Sequence, residues 1–169
     1  KRKHLSVTRS EIAADGPYQV DVVIDRVAGT LTIRDNGIGM TGDEVKQYIN
    51  QIAFSGAKEF LNKYQVENDQ NQIIGHFGLG FYSVFMVADK VEIHTKSAVE
   101  ADAPAVHWTC DGGLTFSMDA SERTEAGTDI VLTIAQDAKE YLDKGTLQAI
   151  IRKYCNFLPV AIHLDGEVL

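Results

Sequence analysis

Apolar and polar residues alternate along much of this chain. In "YQVDVVIDRV" the alternation puts Tyr18, Val20, Val22 and Ile24 on one face, the period of two expected of a strand with one buried side. Ala28-Gly29 offers a tight turn, and "TLTIRD" resumes the pattern at Leu31 and Ile33, so the two runs predict a β-hairpin. The same period returns at Val91 and Ile93, and again at Val106, Trp108 and Cys110. After the turn Gly112-Gly113 it continues at Leu114, Phe116 and Met118, then at Ile130, Leu132 and Ile134, and "PVAIHLD" closes the series. About seven strands, mostly one-sided, predict a largely antiparallel or mixed sheet with one covered face.

Helical spacing supplies the cover. "TGDEVKQYINQIA" sets Val45, Tyr48, Ile49 and Ile52 at i, i+3, i+4 and i+7, behind Thr41 as N-cap with Glu44 three residues on, a capping box. Phe81, Val84, Phe85 and Ala88 repeat that spacing, as do Leu147, Ile150, Ile151, Tyr154 and Leu158. Strands in series with helices gathered on one face predict an α/β (α+β) two-layer sandwich. There is no internal repeat, and residues 1–169 read as one domain, a length that suits a substantial core. Between the first two helical patterns lie a short helical stretch, Lys58 to Tyr64, and the polar run "QVENDQNQ". A segment so poor in apolar anchors is expected to move, and it stands where a lid would be useful.

Composition narrows the classes. The chain carries 16 basic and 24 acidic residues, a net charge of −8, which discourages non-specific contact with nucleic acid. A small anion in a local pocket is still allowed, because backbone N–H groups act at short range. No run approaches the ~20 apolar residues of a membrane span, and the basic start "KRKHLSVTRSEI" lacks the apolar run of a signal peptide. Cys110 and Cys155 match no metal or redox spacing and read as small core residues of a reducing compartment, the cytoplasm. Among the five histidines, His94, His107 and His163 alternate with apolar neighbours. They read as polar-face strand residues, and no ligand spacing links any of the five.

Three stretches carry candidate chemistry. In "IIGHFGLGFYS", Gly75, Gly78 and Gly80 alternate with His76, Phe77 and Leu79 ahead of Phe81. Bare backbone there lets N–H groups converge on a phosphate, and a helix starting near Leu79 would add its positive end. The other reading is a glycine-rich turn that only brings helix and sheet close. The run is neither a Walker loop nor the dinucleotide order G-x-G-x-x-G. In "IRDNGIGM", Asp35 ends a strand ahead of Asn36-Gly37 and Gly39. It caps its own turn, or it accepts from an exocyclic amine while Met40 walls the ring. Such an acid prefers adenine, since guanine presents a carbonyl there. In "EAGTDIVL", Gly127-Thr128 opens a strand, and that hydroxyl could share the base's polar edge with Asp35, directly or through water.

Taken together, "DNGIGM", then "GHFGLGFYSVFMVADKVEI", then "GT" before a strand closely resemble the N-terminal nucleotide-binding domain of the ninety-kilodalton heat-shock chaperones, in the bacterial HtpG-type branch. That family belongs with gyrase, histidine kinases and MutL to the GHKL superfamily with its Bergerat fold. The "GFYSVFMVADKV" continuation separates the chaperones from the other three. The resemblance implies that Asp35 binds the adenine amine, Gly39 and Met40 line the base pocket, and Thr128 completes its polar edge. It implies that Gly75, His76, Phe77, Gly78, Leu79, Gly80 and Phe81 wrap the phosphates of ATP or ADP. Residues from Ile52 to Ile74 would form the ATP lid, with Lys58 reaching the phosphates or standing as an exposed lysine. For the parent protein it implies a stress-response chaperone in the cytoplasm that hydrolyses ATP with Mg²⁺, forms a homodimer and serves unfolded clients through other domains.

The chain departs from the family pattern at two places. The family sets an "E-x-x-x-N" helix, with the general base and a Mg²⁺ ligand, ahead of the first hairpin. "KRKHLSV" resembles the segment just after it, so a domain truncated at its N-terminus is expected, with its base upstream of Lys1. Neither Glu11 nor Glu44 inherits that role, no catalytic residue is assigned, and weak binding with little turnover is expected. In the lid, Phe54 and Ala57 stand where the family commonly has a basic residue and threonine. A nucleotide-binding regulatory module without turnover, or the ATPase domain of another GHKL protein, are the alternative readings.

Overall fold

The computed structural model describes residues 17–49, 81–112 and 115–169. The hairpin forms as the pattern predicts: β1 (Gln19–Asp25) pairs antiparallel with β2 (Thr30–Asp35), Val22 facing Ile33. Next comes α1 (Gly42–Tyr48), and its capping box is complete. Thr41 Oγ1 accepts from the Glu44 N–H at 3.3 Å and the Glu44 carboxylate accepts from the Thr41 N–H at 2.8 Å. The order continues with β3 (Ala88–Lys96), β4 (Val106–Cys110), β5 (Phe116–Ala120) and β6 (Gly127–Ile134), then α2 (Lys144–Cys155), β7 (Ala161–Leu164) and β8 (Glu167–Val168). Asp143 caps α2, its carboxylate accepting from the Thr146 N–H at 2.9 Å.

The eight described strands form one sheet in the order β5-β4-β3-β6-β2-β1-β7-β8. Every pairing is antiparallel except β1 with β7. Inward positions Val22, Leu31, Val91, Ile93, Trp108, Leu132 and Leu164 join Val45 of α1 and Leu147 and Ile151 of α2 in one buried cluster. Val45 is fully covered, and burying such a side chain is worth about 1.5–3 kcal/mol. The α/β two-layer arrangement with helices on one face therefore holds.

Three details differ from the sequence expectation. The sheet has eight described strands rather than about seven, because two-residue β8 follows a turn at Asp165-Gly166 that alternation over so short a run cannot reveal. The apolar spacing after Phe81 is a 3₁₀ helix, Phe81–Met86, and Ala88 already belongs to β3. The Val87 N–H bonds the Val84 carbonyl, an i to i+3 closure, and six residues rich in aromatic and β-branched types give an α-helix little to propagate. A second 3₁₀ helix, Gln136–Leu142, lies ahead of α2 and buries Ala138 and Leu142. Among the described residues no helix is long and apolar enough to cross a membrane.

Candidate functional site

The end of β2 and the loop after it, residues 36–41, open onto a cavity of about 380 Å³, a size in the range of small-molecule pockets. Asp35 lies on the inward face because β2 alternates Leu31 and Ile33 inward with Thr32 and Arg34 outward. Asp35 lines the cavity with Gly39, Met40 and Thr128. Val20, Ile38 and Val160 supply apolar wall. The three elements that carry these residues are adjacent in the sheet, since Asp35 pairs with Val20 of β1 on one side and Thr128 of β6 on the other.

The loop is pinned from several sides. The Asn36 amide accepts from the Gln19 N–H and donates to the Pro17 carbonyl, each at 2.9 Å. The Ala98 N–H donates to the Ile38 carbonyl at 2.7 Å. Gly39 has φ +60, and a Cβ there would stand 1.9 Å from the Lys96 carbonyl oxygen. Only a bare backbone can pass so close to the end of β3. Gly127 has φ +126, and its Cβ would fall 2.2 Å from the Asp35 carbonyl oxygen. Both glycines hold the loop against the sheet and so bring Asp35 and Thr128 to one wall.

Thr95 is the buried hub behind that wall. Its hydroxyl accepts from the Met40 N–H at 2.9 Å, donates to the Gly127 carbonyl at 3.2 Å and stands 3.0 Å from Thr128 Oγ1. A hydroxyl has one proton to give and two lone pairs to receive with. With Thr95 donating to Gly127, Thr128 gives its proton to Thr95 and keeps lone pairs for the cavity. The wall then presents two acceptors, the Asp35 carboxylate and the Thr128 hydroxyl.

Burial pushes the Asp35 carboxyl above the usual carboxylate range, against the downward pull of the Gly37 N–H and the Arg123 guanidinium. The Gly37 N–H donates to Asp35 Oδ1 at 2.7 Å, so the turn-capping and pocket-lining readings of Asp35 describe the same side chain. Arg123 donates to the Glu125 carbonyl and to the Asp129 carboxylate, and its Nη2 reaches the Asp35 carbonyl oxygen at 3.5 Å. Asp129 also accepts from Arg34 at 3.0 Å. Two arginines on one carboxylate lock β2 to β6 beside the cavity.

A profile of the family described as "Histidine kinase-, DNA gyrase B-, and HSP90-like ATPase" matches residues 12–139. The chain belongs to this family of ATPases. It is similar to "Chaperone protein htpG" of Bacteroides fragilis, at 59% identity over 133 residues, 79% of this chain and 19% of that protein. It is 49% identical to "Chaperone protein HtpG" of Porphyromonas gingivalis over 87% of this chain and 21% of the relative. The same-named protein of Geobacter sulfurreducens is 41% identical over 87% of this chain and 23% of its own length. The chain thus spans about a fifth of the length of the curated relatives it matches.

In this HSP90-like ATPase domain, Asp35, Gly39, Met40 and Thr128 meet at one cavity. Phe81 does not line it; its ring packs edge-on against Trp108, centroids 5.7 Å apart. Lys58, the loop residues Gly75, His76, Phe77, Gly78, Leu79 and Gly80, and the lid from Ile52 to Ile74 lie outside the described residues. Sequence reasoning missed Thr95, Arg123 and Val160. Thr95 sits at an inward position of β3, where a hydroxyl between Ile93 and Ser97 breaks the apolar pattern. That break was its one available signal. Arg123 and Val160 reach the site only through chain pairing.

Proposed function

We propose that this chain is the adenine-nucleotide-binding part of a molecular chaperone's ATPase domain. One observation carries the reading: half-buried Asp35 and the neighbouring Thr128 hydroxyl stand on paired strands and line one base-sized cavity. An exocyclic amine offers the two donors such a wall needs, and a guanine carbonyl in its place would meet acceptor with acceptor. Met40 and Ile38 flank the ring, and the loop from Gly75 to Phe81 takes the phosphates. The segment from Ile52 to Ile74 closes over them as a lid, with Lys58 carried on it. The sequence similarity to HtpG chaperones supports extending this to the parent protein. There it implies an ATP-driven cycle in the cytoplasm, a homodimer and unfolded client proteins bound by other domains.

Binding and turnover separate at this site. Hydrolysis needs a base within hydrogen-bond reach of water, and among the described residues the carboxylate lining the cavity is Asp35, already engaged by Gly37. It is assigned to the base amine and not to water. A Mg²⁺ ion asks for several oxygens in near-octahedral array. The described lining residues, with one engaged carboxylate, do not fit it. Calorimetric titration of ATP, ADP, GTP and GDP tests the reading. ADP is expected to bind at least tenfold more tightly than GDP or GTP, and equal affinity for the guanine nucleotides would refute it.

A further inference from the structure

On the opposite face of the sheet, β3 and β4 bring together Glu92, His94 and His107. These residues alternate with buried Val91, Ile93, Thr95, Val106 and Trp108, so period-two geometry points them away from the nucleotide cavity. His94 and His107 are directly paired across the strands, their rings nearly parallel, 8° apart in tilt with centroids at 4.1 Å. The His107 ring nitrogen Nε2 lies 3.2 Å from Glu92 Oε1. One ligating atom from each of the three side chains lies within 4.8 Å of the others.

We propose that Glu92, His94 and His107 form a surface site for a divalent transition ion of the zinc type, separate from nucleotide binding. Three atoms no more than 4.8 Å apart lie within about 2.8 Å of a common point. Side-chain shifts under about 1 Å then reach the roughly 2.0–2.2 Å of zinc ligation by imidazole and carboxylate. Two imidazoles and one carboxylate are a ligand set that zinc accepts with a fourth position left to water. All three residues are half-buried on rigid, paired strands, so little order has to be created on binding. Ser121 Oγ, 3.3 Å from His94 Nδ1, is placed to orient that ring from outside the ligand set.

The neighbours define the competition. Lys90 pairs with Glu92 at 3.1 Å; such part-exposed ion pairs are weak and give way to a divalent ion. Across from His94 on β6 stands Asp129, held by Arg34 and Arg123, and across from His107 on β5 stands Asp119. Asp129 is already neutralised by its two arginines, so Asp119 is the carboxylate that offsets the charge of a cation brought to this face.

Titration of Zn²⁺, and of Co²⁺ as its visible reporter, into the untagged 169-residue chain at pH 7.5 tests the site. One equivalent is expected to bind, with Co²⁺ giving visible bands of four- or five-coordinate nitrogen and oxygen ligation. His107→Ala and Glu92→Gln should each weaken binding at least tenfold with unchanged far-ultraviolet circular dichroism. His163→Ala, which removes a histidine paired instead with Asp21 on the same face, should leave binding unchanged. Retained affinity in both ligand variants, loss of affinity in His163→Ala, or a near-ultraviolet thiolate band assigning the ion to Cys110 or Cys155, would overturn the proposal.

Discussion

Replacing Asp35 by Asn should weaken nucleotide binding and strengthen the empty protein. The Gly37 N–H fixes one carboxylate oxygen as its acceptor, so in the variant the amide oxygen stays there and the NH₂ turns to the cavity. A donor then faces the donor amine of adenine. Losing a charge-assisted hydrogen bond costs about 1.5–3 kcal/mol, and unpaired donors left facing one another add about 1–3 kcal/mol. The sum is about 2.5–6 kcal/mol, or roughly sixtyfold or more in Kd for ADP. Stability moves the other way. Because burial raises the folded-state pKa of Asp35, the native protein holds this proton more tightly than the unfolded chain. Stability therefore falls as pH rises from the unfolded carboxylate range through the raised folded value, and the cost persists at pH 7. Asn removes that cost. Stabilising substitutions of this general kind commonly yield about 0.5–2 kcal/mol, with lost function as the recurrent cost. For a domain of this length each kcal/mol is about 2–4 °C in Tm. Calorimetric ADP titration and melts of the empty protein from pH 4 to 8 read both effects, and the stability difference should shrink steadily toward the acid end. A variant that binds ADP within threefold of the parent, or that melts lower than the parent at pH 7, would refute the reasoning.

Gly127→Ala should be costly, because its Cβ would fall 2.2 Å from the Asp35 carbonyl oxygen and 3.1 Å from the Asn36 Cα. With a positive-φ penalty of about 1–2 kcal/mol and about 1 kcal/mol for one loosened β2–β6 bond, a Tm drop of roughly 4–12 °C is expected. A drop under about 2 °C in a thermal melt would show that the strands are not in such close approach. Thr95→Val keeps the shape and deletes the hub, leaving the Met40 N–H without its acceptor. The loss is expected at about 1–3 kcal/mol with weaker ADP binding, and neither effect would appear if the hub were incidental.

Much of this domain was legible in order along the chain. Alternation at Val20, Val22 and Ile24 and at Leu31 and Ile33 marked a hairpin because side chains on a strand change face at every residue. The Thr41 and Glu44 pair marked the start of α1 because capping is a contact three residues long. Asp35, Gly39 and Thr128 were legible too, since "DNGIGM" and "GT" place an acid, a hydroxyl and bare backbone at strand ends. What needed the folded chain was adjacency. The parallel pairing of β1 with β7 joins Gln19 to Ala161 and so brings Val160 to a cavity wall laid down by residues 35–40. The same holds for Arg123, which reaches Asp35 across 88 residues, and for Glu92 and His94, which meet His107 only because β3 and β4 lie in register. Local order follows from backbone periodicity and short hydrogen bonds, which the sequence carries. The partners of a charged or polar side chain depend on which strands close the sheet, and burial of the whole core decides that.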